Sequence, residues 1–149
     1  MVWGGISGAG VGPLCFIPPN KSVTDAKYLS TLQKYQVSSM AQSQCSVFQH
    51  DGAPAHRAHI VRHWLHEENL TVLYPSPGNS PDLNPIKHCW SYLKWRVAQK
   101  KPSSTQDLQN KVLHVWNNEI SVAYYRKLAE LMPSRLKAIF KPHGGPTRF

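Results

Sequence analysis

The chain has 149 residues, 41% hydrophobic and 17% charged, which is enough apolar material to bury a core and too little charge for a disordered tail. Seventeen Lys and Arg against eight Asp and Glu leave a formal charge of +9, which favours a polyanionic partner, either nucleic acid or an acidic membrane surface. No stretch approaches the roughly 18 apolar residues of a membrane span, Met1–Ile6 is no basic leader, and Cys15, Cys45 and Cys89 form no CxxC pair; a soluble protein in a reducing, intracellular setting is expected, with neither a disulfide framework nor a zinc knuckle.

Met1–Ile6 and Gly12–Ile17 are runs of strand formers separated by Ser7-Gly8-Ala9-Gly10, which predicts a hairpin, with the chain beginning inside a strand. Thr24 or Asp25 caps a helix to about Met40, with Ala26, Leu29, Leu32 and Val37 as its apolar stripe. Cys45–His50 reads as a buried strand that delivers Asp51 at its C-terminal end. Gly52-Ala53-Pro54 then turns the chain into a helix to about Asn69, and Leu70–Tyr74 returns as a strand, a parallel β-α-β unit.

Residues 75–81 form a loop rich in Pro, Ser and Gly that ends at Asn84-Pro85, where Asn as cap and Pro in the first helical position signal a helix to about Gln99. Ile86, Cys89, Trp90, Leu93 and Val97 share one face of it. Ser104 with Asp107 three residues on is a capping box, opening a helix that turns Leu108, Val112, Val115 and Trp116 inward. Val122–Met132 and Ser134–Phe140 complete a helical C-terminal region, with no internal repeat and no interdomain linker.

No acid occurs between Asp82 and Asp107, where Lys87, Lys94, Arg96, Lys100 and Lys101 cluster, and none follows Glu130, beyond which Arg135, Lys137, Lys141 and Arg148 stand. Such runs read either as a solvated face or as a phosphate-contacting surface. His56, His59, His63 and His66 make a row at helical spacing that a transition metal could use, although no Cys or acid converges on it in the sequence. Trp90 lies on the apolar stripe and belongs to a core; Trp95 lies off it, open to either a packing or a base-stacking role.

Three segments, MVWGGISGAGVGPLCFI at the start, FQHDGAPAH at Phe48–His56 and SPDLNPIKHCWSYL at Ser80–Leu93, together resemble the transposases of the Tc/mariner superfamily, and the tail Gly144–Phe149 is similar to that family's ending. The resemblance runs nearly the whole chain. It implies an α/β, ribonuclease-H-like (retroviral-integrase-like) fold, a mixed sheet flanked by helices, as a single partial catalytic domain over 1–149. It also implies DNA cleavage and joining at two divalent ions, Mg2+ or Mn2+, held by three acids. Two such ions activate the attacking oxygen and relieve charge on the phosphate, and hard ions call for converging carboxylates.

Asp51 matches the second acid of that set. The third should follow Asn84-Pro85-Ile86, where Lys87 stands, with 35 residues between it and Asp51, close to the family spacing. Lys87 has the wrong charge for a cation and for the positive end of a helix. Asp82, the nearest acid, matches a position that the family does not use for metal. The first acid, its central strand and the helix-turn-helix region that reads transposon ends would all lie upstream of Met1; without that strand the sheet is expected as two half-sheets with open edges.

The resemblance therefore implies a remnant of a cut-and-paste transposase, with productive metal binding and catalysis expected to be lost and nonspecific nucleic-acid binding kept, through His56, Arg57, Lys94, Arg96, Lys100 and Lys101. A retained regulator that binds DNA or an intact transposase is the alternative, and an active metal-dependent endonuclease a more distant one. DNA, an intact transposase or a second copy of the chain are the implied partners, without a membrane, and the nucleus the implied location.

Overall fold

The computed structural model describes residues 1–18, 22–73 and 83–139, so the loop at 75–81, Asp82, Lys141, Arg148 and the tail lie outside the described residues. Strands β1 (Val2–Ser7) and β2 (Gly10–Phe16) pair through the turn at Gly8-Ala9. Ser7 closes that turn, its hydroxyl accepting from the Ala9 amide at 3.2 Å, and Gly10 takes φ 138°, a conformation open to glycine at little cost.

Helix α1 covers Asp25–Ser43, and Thr24 caps it by accepting from the Lys27 amide at 3.3 Å. Its buried face is Tyr28, Thr31, Leu32, Gln36 and Met40 rather than the expected stripe, since Ala26 and Val37 are exposed. The inward row repeats every four residues and runs through a tyrosine and a glutamine, which an apolar count passes over.

Strand β3 is only Val47–Phe48, paired in parallel with β4 (Thr71–Val72) in the register Val47↔Thr71 and Phe48↔Val72. The expected parallel unit is present, but its strands are shorter, and Asp51 stands three residues beyond the end of β3. The helix between them is also divided. Pro54–Arg57 forms a 3-10 turn, Ala58 breaks the helix with ψ 144°, and α2 begins again at His59 and ends at Glu67. Tyr28, Leu32, Val61, Trp64 and Leu65 form the core here, with Trp3, Phe48 and Val72 packed on it.

Among the described residues the strands make two separate two-stranded sheets, one antiparallel and one parallel, the divided arrangement anticipated from the sequence. The chain forms two compact units, the first Met1–Gly5 with Gly12–Ser80, the second Ile6–Val11 with Pro81–Phe149.

The second unit is helical. Helix α3 spans Ile86–Gln99 and buries Cys89, Leu93 and Val97, as its periodicity predicts. Pro85 already has helical dihedrals, but no side chain caps the helix; the Asn84 carbonyl instead accepts from the Lys87 amide at 3.0 Å. Helix α4 (Thr105–His114) starts as expected, with the Ser104 hydroxyl accepting from the Asp107 amide at 3.1 Å. Leu108, expected inside, is 40% exposed, whereas Val112 is buried. Val115–Glu119 then widens into a π turn before α5 (Val122–Glu130) and α6 (Met132–Ile139). Trp116, fully buried in that turn, stacks on Trp90 with centroids 4.9 Å apart and planes at 15°.

Candidate functional site

The loop of residues 49–53 carries Asp51 between β3 and the 3-10 turn. Its Oδ1 accepts from the Ala53 amide at 3.2 Å and lies 2.7 Å from His56 Nδ1. The same nitrogen lies 3.1 Å from the Asp51 carbonyl oxygen. Both oxygens are acceptors, so Nδ1 is the nitrogen that donates. The early 3-10 turn, started by Pro54, is what folds His56 back over Asp51.

Stacking fixes the His56 ring. Tyr28 lies against it with centroids 3.9 Å apart, and His50 at 5.2 Å with planes only 9° apart. The Tyr28 hydroxyl is 3.1 Å from His50 Nδ1. Burial pushes the His50 pKa down to about 4; the neighbouring His56 lowers it further and Asp51 opposes the shift, so His50 is neutral at pH 7. The result is a half-buried carboxylate, its side chain 30% exposed, beside one imidazole held by stacking and one kept uncharged by burial.

A magnesium or manganese ion needs several hard oxygens at once. Among the described residues no three His, Cys, Asp or Glu side chains converge in a way that could hold a metal ion. Oδ1 of Asp51 is engaged by His56 and Ala53, and this cluster supplies imidazole nitrogens rather than further carboxylates. The described donor set does not fit a two-ion site. Lys87, at the expected third-acid position, is half-buried in the first turn of α3, the end of a helix that favours an acid over an ammonium.

The predicted phosphate-contacting residues fall into two groups. Arg57, Lys94 and Lys101 are exposed and His56 is half-buried against Asp51. Arg96 and Lys100 are instead occupied by Glu119: Arg96 Nε and Nη2 and Lys100 Nζ each lie 2.7 Å from its carboxylate. His114 Nε2 approaches the same group at 3.4 Å. The hydrogen bond from Lys100, with Arg96 adding to it, holds the Glu119 carboxyl below its ordinary value.

Arg135 also departs from the expected basic face. It is 2% exposed, with Nη1 3.0 Å from His88 Nε2. The histidine row is interrupted at Ala58, which leaves His59, His63 and His66 exposed on α2 and His56 at the Asp51 cluster. Sequence reasoning passed over Tyr28, His50 and Glu119. Glu119 carried a signal, since it is the single acid between Asp107 and Glu130, downstream of a basic run; Tyr28 and His50 carried none apart from the fold.

A short parallel strand pair leading to a loop carboxylate, with helices beyond, is the ribonuclease-H-like arrangement, and solved structures agree. The structure of the Mos1 transposase catalytic domain and raltegravir with Mn superposes with a TM-score of 0.81 over 97% of this chain and 75% of that one, at 23% identity. The Mos1 mariner paired end complex with Mn gives 0.85 over 97% of this chain and 44% of that one, at 22% identity. Two curated relatives align along the whole chain: the Tcb1 transposase of Caenorhabditis briggsae, 30% identical over 151 residues, and the Tc1 transposase of Caenorhabditis elegans, 29% over 154. The chain spans about half their length, 54% of each. A sequence profile of the DDE superfamily endonucleases matches residues 15–109. The chain belongs to that family, as a DDE-type transposase domain of the Tc/mariner kind.

Proposed function

We propose that this transposase catalytic-domain homologue no longer cuts or joins DNA and retains a weak, sequence-insensitive affinity for nucleic-acid phosphates. The observation that carries the reading is Lys87 at the third-acid position of α3. An ammonium there donates no lone pair to a metal ion and repels it, where a carboxylate would bind it. Asp51 then keeps its His56 contact in place of a shared ion. The relatives solved with Mn and Mg support divalent metal use in the family, and one solved as a paired-end complex with left transposon end supports DNA as the partner. A nuclear location follows from that partner.

Exposed Arg57, Lys94 and Lys101 supply the phosphate contacts in this reading, with Arg96 and Lys100 withheld by Glu119. Phosphate contacts of this kind set affinity through counterion release and carry no sequence information. The test incubates the 149-residue chain with supercoiled plasmid and Mg2+ or Mn2+. Nicking no greater than that of Asp51→Ala is expected; nicking above that control overturns the loss of catalysis. Duplex binding should fall steeply with added salt, and a tenfold preference for a transposon end over random duplex at matched salt is the result that contradicts nonspecific contact.

A further inference from the structure

Trp95 is the one tryptophan among the exposed large apolar side chains of the described residues, 55% exposed, on a helix whose other tryptophan is stacked on Trp116. It is also held in position. The Arg96 guanidinium lies 5.8 Å from the ring centroid, and Tyr92 stands tilted against the ring at 5.9 Å. Arg96 in turn is fixed by Gln99 Oε1, 3.1 Å from Nη1, and by Glu119. Of the positions one helical turn away, Ser91, Ala98 and Gln99 are small or polar and exposed and only Tyr92 leans on the ring, so the ring stays largely open. Lys94, beside it in the chain, is exposed too, and α3 contains no acid.

We propose that Trp95 is a stacking platform for an unpaired base of single-stranded nucleic acid, with Lys94 meeting the adjoining phosphate. The proposal rests on the phosphate-binding reading above and narrows it to a substrate form. A π surface calls for a flat ligand, and exposed Lys94 calls for an anionic one; a strand with unstacked bases offers both in one repeat. A duplex hides its base faces within its own stack, so it can use Lys94 but not Trp95. A protein partner would have to bring carboxylates to Lys94 as well as an apolar surface to the ring, whereas a nucleotide unit brings both functions together. Because Arg96 and Tyr92 already hold the ring, little side-chain freedom is lost on stacking.

The experiment measures anisotropy of fluorescein-labelled oligothymidylate and of a blunt duplex of matched length with the full chain and its variants. Trp95→Ala is expected to weaken oligothymidylate binding roughly five-fold or more and to leave the duplex within about two-fold, while Trp95→Phe restores most of the loss. Lys94→Gln should weaken both probes and flatten their salt dependence. Unchanged oligothymidylate affinity in Trp95→Ala overturns the platform, as does an equal loss on both probes. Dissociation of a self-associated chain by Trp95→Ala, seen by sedimentation with no change in oligothymidylate affinity, overturns it in favour of a contact between copies. If neither probe binds the unaltered chain, the phosphate-binding reading falls as well; if the duplex binds and only the Trp95 effect is missing, the platform alone falls.

Discussion

Asp51 in the first unit and Glu119 in the second are carboxylates in opposite surroundings. Glu119 is met by two permanent cations at 2.7 Å and by His114, whereas the contacts of Asp51 include the His56 imidazole and the Ala53 amide, with Tyr28 and neutral His50 behind. The first group is saturated by charge and welds the π turn to α3; the second is oriented through Oδ1 by an imidazole and a backbone amide. A carboxylate committed to two cations is a brace; Asp51, with its side chain 30% exposed, is the carboxylate to which the proposed reading assigns the ancestral chemistry.

The largest test of this contrast is directed at what the brace protects. Trp116→Ala removes a fully buried indole stacked on Trp90 and is expected to cost about 3–5 kcal/mol, a large share of the roughly 5–15 kcal/mol of a typical domain. A urea midpoint close to that of the unaltered chain would show that the second unit does not depend on this core.

Glu119→Gln is expected to act in two directions. It should lower the melting temperature, and by releasing Arg96 and Lys100 it should strengthen duplex binding several-fold and steepen the log–log salt slope by about one to two. The pH sign follows from the lowered carboxyl: the stabilisation is complete above the ordinary value of 4.5 and disappears as pH falls through the lower folded value, so the unaltered and Gln chains should converge in acid. A gap in melting temperature that persists there would mean that Glu119 acts through packing instead of charge.

Asp51→Asn is the smallest. An amide oxygen can still accept from Ala53 and His56, so the expected loss is about 1 kcal/mol or less, read by chemical denaturation. A larger loss would make Asp51 a brace like Glu119 and erase the distinction.

Much of this arrangement is legible in the sequence where local chemistry decides. The hairpin turn, the Thr24 and Ser104 caps and the buried row of α3 follow from residues within a few positions of one another. The parallel pairing of β3 with β4 was readable because the elements alternate. Legibility ends where tertiary packing decides. Tyr28 and Gln36 turn inward because α2 and the 3-10 turn lie over that side of α1, and an apolar count assigns them outward. At the candidate site, the positions of Asp51 and Lys87 were readable through the family resemblance. The His56 contact depends on Pro54 starting a 3-10 turn that stops at Ala58 instead of running on as the expected helix, and Arg96 and Lys100 looked like open cations because their partner lies 19 or more positions away.

The π turn at Val115–Glu119 makes the brace sensitive to chain length as well as to residue type. A widened turn holds about one residue more than an α-helical turn, so losing a single codon between Val115 and Asn118 would relax it to regular helix with Glu119 near its present azimuth, whereas gaining one would rotate Glu119 by about 100° around the axis. Such an insertion would separate Glu119 from Arg96 and Lys100 and unmask two cations while leaving every charged side chain in the protein. Related genomic copies that gain one uncharged in-frame triplet at this point would thus carry identical charge and a different electrostatic face.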